Sequence, residues 1–202
     1  MTEWLSWAIE LQSISQIGLT YSKDKYDIER FQRIREISAE ILSKHTDLKI
    51  EKVVELFCNE VGYQTPKLDT RAAIIKDNEI LLVKENDKWS LPGGWIDVNN
   101  SIRENIIQEV REEAGLVVEP KKIIAIQDGK KHNLPVSLYG ICKIFILCEA
   151  LGGEFKENME TEASGYFSID NLPILDTART TKAQIELCFK ASEHKNWEVF
   201  FD

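Results

Sequence analysis

Residues Gly93 to Leu116 read GGWIDVNNSIRENIIQEVREEAGL, and this stretch decides the fold. Ser101 is a good helix N-cap and Gly115 a good helix stop, so the spacing predicts a helix running through Ala114. At about 100° per residue, Glu109, Glu112 and Glu113 share one arc of roughly 100°, and Ile107, Val110 and Ala114 form an apolar stripe more than a right angle away. One face packs and another displays acid. Like charges at i,i+3 and i,i+4 cost a few tenths of a kcal/mol per pair, so folding gains nothing from the cluster. A hard divalent cation such as Mg²⁺ or Mn²⁺ turns the repulsion into coordination. The competing reading is a solvated Glu-rich face, since Glu is a good helix former. The preceding LPGGWID favours the cation, because two glycines between a strand and a helix allow close backbone approach and hold the acidic helix against a sheet.

Working outward, Pro66 breaks any helix, and TRAAIIK (Thr70–Lys76) and EILLVKE (Glu79–Glu85) are β-rich runs around a hairpin turn at Asp77 and Asn78. Strand-like stretches return at KIIAIQD (Lys122–Asp128), SLYGICKIFILCEA (Ser137–Ala150) and SGYFSI (Ser164–Ile169). TTKAQIELCFKASEH (Thr180–His194) reads as a closing helix on Ile185, Leu187 or Cys188, and Phe189. Mixed strands with one central and one late helix predict an α/β (α+β) sandwich with a mixed sheet.

Toward the N-terminus the period changes to that of helices. Trp4, Trp7, Ala8, Leu11 and Ile14 mark a first helix stopping near Gly18. Ile28, Phe31, Ile34, Ile37 or Ser38, and Ile41 mark a second, with Asp24 or Asp27 as N-cap; Ile50, Val53, Val54, Phe57 and Val61 mark a third, ending at Gly62. We expect a small all-α domain over 1–65 and a catalytic domain over 66–202. The stripes through Trp4, Trp7, Leu11, Phe31 and Phe57 exceed what three short helices hide among themselves, which predicts a dimerisation or docking module and a homodimer.

The whole chain sets bounds. Its 202 residues, 43% hydrophobic and 29% charged, describe a globular protein rather than a disordered or collagen-like one. A net charge of −9 disfavours nonspecific binding to nucleic acid or anionic membrane, so a phosphorylated substrate has to be met by local cations or metal. Cys58, Cys142, Cys148 and Cys188 are scattered without a C-x-x-C pair, and MTEWLSWAIELQ is neither a leader nor a membrane span. A reduced cytoplasmic chain is the expectation.

The segment Gly94–Leu116 resembles the Nudix box, G-x5-E-x7-R-E-U-x-E-E-x-G-U with U aliphatic. It matches at Gly94, Glu109, Val110, Glu112, Glu113, Gly115 and Leu116, and departs at Asn100 for Glu and Gln108 for Arg. The approach from Leu81 to Asp97 is similar to that family as well, and the resemblance covers roughly residues 68 to 190. The first 62 residues, with GLTYSKDKYDIERFQRIREI, resemble the helical extension of a bacterial subgroup that includes CDP-choline and ADP-ribose pyrophosphatases.

The resemblance implies an αβα sandwich and Mg²⁺-dependent hydrolysis of a nucleoside diphosphate linked to another moiety, with Mn²⁺ as a possible substitute. It implies metal on Glu109, Glu112 and Glu113, and a carboxylate that takes the proton of the attacking water. Glu112 is one catalytic candidate; the loop ENMETEASGYF offers Glu160 and Glu162, with Glu160 preferred. Gly93 and Gly94, Arg71 and Lys84, and more weakly Arg179 and His132, are the substrate-binding candidates. Trp89 and Trp95 read as packing residues flanking the glycine turn. A nucleotide-binding module without turnover is the rival, given the two departures, and retention of all three carboxylates speaks against it.

Overall fold

The computed structural model describes residues 2–202, and the chain divides into two compact units, Met1–Pro66 and Lys67–Asp202. The first holds helices α1 (Glu3–Tyr21), α2 (Lys25–His45) and α3 (Ile50–Phe57). Asp24 caps α2, its carboxylate accepting from the N–H groups of Tyr26 and Asp27. Two expected ends move. Helix α1 runs through Gly18 because that residue serves packing: a Cβ there would come within 2.4 Å of the Phe31 ring. Helix α3 stops at Phe57 rather than reaching Gly62, and Val61 is left 90% exposed.

The buried face of α1 also differs from the one its apolar spacing predicts. Ala8, Gln12, Ser15 and Gln16 are buried, whereas Trp7 and Ile14 lie exposed. Small and polar residues let α1 and α2 approach closely, and Ser38 on α2 donates to the Ala8 carbonyl at 2.7 Å.

The second unit contains β1 (Lys67–Lys76), β2 (Glu79–Glu85), β3 (Lys88–Ser90), α4 (Ile102–Ala114), β4 (Leu116–Asp128), α5 (Gly129–His132), β5 (Ile141–Gly153), β6 (Ala163–Phe167), α6 (Lys182–Glu193) and β7 (Phe200–Phe201). The sheet order is β3-β2-β1-β5-β4-β7, with β6 also paired to β2. β1 and β5 run parallel over Lys67–Ile74, as do β4 and β7, and the remaining pairs are antiparallel. Asp77 and Asn78 turn the β1–β2 hairpin with positive φ at both residues.

Period-2 alternation sends successive side chains to opposite faces. Ala72, Ile74, Leu81, Val83, Ile144 and Ile146 meet Ile106, Val110 and Ala114 of α4 on one face. Ala73, Ile80, Leu82 and Phe145 meet Ile185, Cys188 and Ala191 of α6 on the other. The α4 stripe is therefore centred on Ile106, with Ile107 only partly buried; truncating Ile106 to Ala is expected to cost about 2–5 kcal/mol. The result is an αβα sandwich with a mixed sheet that fixes α4 rigidly in place. Among the described residues no helix is long and apolar enough to cross a membrane, and the four cysteines are free thiols.

Candidate active site

Helix α4 carries the site, and its start is set by a capping box. Ser101 Oγ accepts from the Glu104 N–H at 3.2 Å, and Glu104 Oε2 accepts from the Ser101 N–H at 2.9 Å. Gly115, in the left-handed conformation, ends it. Asn105, buried on the inner side, donates to Thr70 Oγ1 (2.9 Å) and accepts from the Asp97 N–H (3.3 Å), joining helix, strand and turn.

The glycine turn lies along β1 like an extra strand. Thr70 N–H donates to the Gly94 carbonyl, Ala72 N–H to that of Pro92, and Ile96 N–H to that of Leu68. Gly93 has φ +136, and a Cβ there would come within 2.0 Å of the Thr70 carbonyl oxygen; one on Gly94 would come within 2.8 Å of Glu109 Oε2. Bare backbone is thus what allows the acids of α4 to approach. The Gly93 N–H donates to Glu113 Oε2 at 2.7 Å.

Glu113 is only 7% exposed. Burial pushes its carboxyl up to about 8, and Glu109 and Glu85 add to the rise, against the pull of Arg71 and the Gly93 N–H. Burial likewise raises Glu109 to about 7, opposed by Arg71 and reinforced by Glu112, Asp69 and Glu160. Glu109 has no hydrogen bond or ion pair among the described residues. A half-buried carboxylate without a partner is costly when ionised, and the Glu109–Glu113 pair stores that cost beneath the turn.

Glu112 departs from the expected trio. It is exposed, and its Oε1 accepts from Gln108 Nε2 at 2.9 Å; Gln108 Oε1 in turn accepts from Asn100 Nδ2 at 2.9 Å. The two amides that replace Glu and Arg of the box therefore form a neutral relay ending on Glu112. Among the described residues no three His, Cys, Asp or Glu side chains converge on one metal-binding point. The oxygen donors still fit Mg²⁺ or Mn²⁺, and the partnerless Glu109 is the observation that carries the fit. When bound, such a cation polarises phosphoryl oxygens and lowers the pKa of a bound water.

The other candidates separate. Glu160 acts electrostatically on Glu109, and its loop is held by Asn158. That side chain accepts from the Glu160 and Thr161 N–H groups (3.0 and 2.9 Å) and donates to the Glu112 carbonyl (3.0 Å). Glu162 instead pairs with Lys84 at 2.8 Å, and Lys84 also holds Asp87, the two carboxylates raising its pKa. His132 is hydrogen-bonded to Asp202 at 2.7 Å. Lys84 and His132 are thus each paired with carboxylates, and neither is among the residues that line the cleft around Asp69, Arg71 and Lys143.

Arg71 and Arg179 do line that cleft, of about 230 Å³, though both are paired. Arg71 is buried and grips Asp69 with two nitrogens (2.8 and 3.1 Å) and the Leu91 carbonyl with a third. Arg179 holds Glu85 at 2.5 Å. Lys143, also buried, donates to Asp69 (2.8 Å) and to the Arg179 carbonyl (3.0 Å). Burial works against the Asp69 charge, but the two cations hold it below the ordinary range. Burial lowers Lys143, against the pull of Asp69.

No role for Asp69, Lys143 or Asn158 emerged from the sequence, in which Trp95 reads as packing. A charge at position 143, inside an otherwise apolar run, was the available signal for Lys143, and the Asp69–Arg71 spacing of two along one strand was that for Asp69. Asn158, two residues before Glu160, was the signal for the loop clamp. Trp89 does pack, edge-on to Phe167 at 4.7 Å, whereas Trp95 is 52% exposed on the cleft wall.

An acidic helix held under a glycine turn, on a mixed sheet sandwiched between two helices, defines a class of hydrolase that sets carboxylates against a phosphate. The chain belongs to the Nudix family: residues 66–187 match the NUDIX domain, and residues 2–57 match the family described as "UDP-X-like, N-terminal oligomerisation domain". Enzymes of this family hydrolyse pyrophosphate compounds, generally with a divalent metal. The chain is 38% identical over 203 residues to Bacillus subtilis (strain 168) YjhB, whose name carries a provisional ADP-ribose pyrophosphatase assignment; the match covers 100% of this chain and 98% of that protein. An ADP-ribose pyrophosphatase structure from Streptococcus suis 89-1591 is 53% identical, with a TM-score of 0.65, over 68% of this chain and 100% of that one. A UDP-X diphosphatase structure is 33% identical, also with a TM-score of 0.65, over 99% of this chain and 98% of that one.

Proposed function

We propose that this Nudix hydrolase cleaves the pyrophosphate bond of a nucleoside diphosphate linked to a second moiety, giving a nucleoside monophosphate and a phosphorylated product. The observation that carries the reading is the Glu109–Glu113 pair, raised in pKa by burial against the pull of Arg71 and without an ion pair among the described residues. Glu109 and Glu113 would hold Mg²⁺, with Mn²⁺ as substitute, and Glu112, now bonded to Gln108, would complete the acidic set. A water oxygen attacks one phosphorus, the bridging P–O bond breaks, and Glu160 takes the water's proton. Asn158 supports this assignment by tying the Glu160 loop to the Glu112 carbonyl. The names of the relatives support ADP-ribose or a UDP-linked compound ahead of CDP-choline. The exposed Trp7 and Ile14, on a unit matching an oligomerisation family, support a homodimer built through the N-terminal helices.

The test is turnover of ADP-ribose, UDP-sugars and CDP-choline with and without Mg²⁺ in ¹⁸O-labelled water, with products identified by mass. Metal-dependent release of a nucleoside monophosphate with one ¹⁸O in one product is expected. Binding of these compounds without any turnover would contradict the reading.

A further inference from the structure

The cleft lined by residues of β1, α5, β5 and the segment leading into α6 carries a charge opposite to that of the chain. Arg71, Lys130, Lys143 and Arg179 line it against one carboxylate, Asp69, in a protein of net charge −9. Arg179 is balanced by Glu85 and Arg71 by Asp69. Lys143, which shares Asp69, and Lys130, which has no ion pair among the described residues, leave a cationic surplus that suits a phosphate.

Trp95 lines this cleft together with Arg71, and Arg71 acts electrostatically on both Glu109 and Glu113. Its backbone is fixed: it bridges Asp69 on β1, and its neighbours Gly94 and Ile96 both bond to that strand. Its side chain is unengaged. Trp4, Trp89 and Trp197 each lie against another ring, and the Trp197 N–H donates to the Ile124 carbonyl. Among the described residues the half-exposed Trp95 indole has neither a ring partner nor an acceptor for its N–H. A large apolar plane on a fixed backbone and left open is suited to a flat ligand.

We propose that the cleft takes the nucleoside half of the substrate, with the base laid on the Trp95 indole and its phosphate drawn toward Lys143 and Lys130. This rests on the reading of α4 as the pyrophosphate site. A phosphorylated sugar fits less well, because it has no aromatic face to lay on the indole. Stacking needs only a π-face, and any base supplies one.

The experiment titrates the metal-free protein with AMP, UMP and ribose 5-phosphate, following tryptophan fluorescence and heat, in wild type, Trp95→Ala and Trp95→Phe. Both nucleotides are expected to quench the wild-type emission. In Trp95→Ala the quench disappears and nucleotide affinity falls by at least about fivefold, the lower end of base–aromatic stacking; Trp95→Phe recovers most of the affinity. Ribose 5-phosphate affinity is expected to be equal in all three proteins, and in turnover KM is expected to move more than kcat. Nucleotide affinity unchanged by Trp95→Ala, or a loss confined to ribose 5-phosphate, would overturn the proposal while leaving the hydrolase reading intact. A wild type that binds nucleotides through Trp95 but turns over no pyrophosphate would overturn the function instead.

Discussion

Helices α1 and α4 are both amphipathic in sequence, and they bury different things. Helix α4 sends Ile106, Val110 and Ala114 into the core and brings Glu109 and Glu113 to its margin under the glycine turn. Helix α1 buries Ala8, Gln12, Ser15 and Gln16 and leaves Trp7 and Ile14 outside. Gln12 Nε2 and Gln16 Oε1, both buried, have no hydrogen-bond partner among the described residues, so the inner face of α1 is a poor core. The difference teaches that apolar spacing identifies a helix without identifying what its apolar face meets. In α4 that face meets its own sheet. In α1 part of it remains for another surface, and a second copy of the chain is the partner we propose.

The largest effects are expected on the acidic side. Glu113→Gln or Glu109→Gln is predicted to lower kcat by about two orders of magnitude or more, the scale of one key electrostatic contact in a transition state, with the thermal midpoint retained or raised. A midpoint that falls together with activity would make the pair structural. Gly93→Ala is expected to lose stability as well as activity, because both φ and the Thr70 carbonyl oppose a side chain there; the midpoint of thermal unfolding reads it.

On the α1 side, Trp7→Glu combined with Ile14→Lys is predicted to convert a dimer into a monomer of 23.2 kDa by light scattering. An unchanged mass would show that these residues do not hold the assembly.

How much of this was legible in the sequence follows from where each signal resides. The α4 boundaries, the β1–β2 hairpin and the acidic face were readable because capping residues, an Asp-Asn turn and helical spacing act over a few residues. The ends of α1 and α3 were not, since Gly18 is fixed by the Phe31 ring thirteen residues on, and α3 stops before its own apolar run does. Arg71 and Lys84 read as phosphate donors because their charge was visible; the Asp69 partner of Arg71 lies two residues away on the same strand, whereas the Glu162 partner of Lys84 emerges only from the pairing of β2 with β6. Trp95 read as packing because exposure is a tertiary property.

A smaller effect is expected from pH. The folded-state pKa values of Glu109 and Glu113 lie above the ordinary range, near 7 and 8. Protonation therefore stabilises the metal-free fold: their contribution is fully present below about pH 4.5 and is lost as pH rises through 7 and 8. Thermal midpoints in EDTA should fall over that window, and the fall should shrink in the Glu113→Gln variant. A wild-type midpoint independent of pH there would contradict the burial of the pair.

The smallest effect belongs to the relay. Asn100→Glu or Gln108→Arg alone breaks the hydrogen bond between them, worth roughly 1 kcal/mol, whereas the double change restores an opposite-charge pair and should recover most of the loss. Additivity within about 0.5 kcal/mol in the double-mutant cycle would show that the two positions are uncoupled.

The central claim is that Glu109 and Glu113 form a buried acidic pair awaiting a cation, and calorimetric titration of Mg²⁺ in two buffers of different ionisation enthalpy tests it most directly. At pH 7 the account predicts saturable binding with proton release to the buffer, and both the binding and the release should diminish in Glu113→Gln. Saturable Mg²⁺ binding without proton release, or binding untouched by Glu113→Gln, would contradict it.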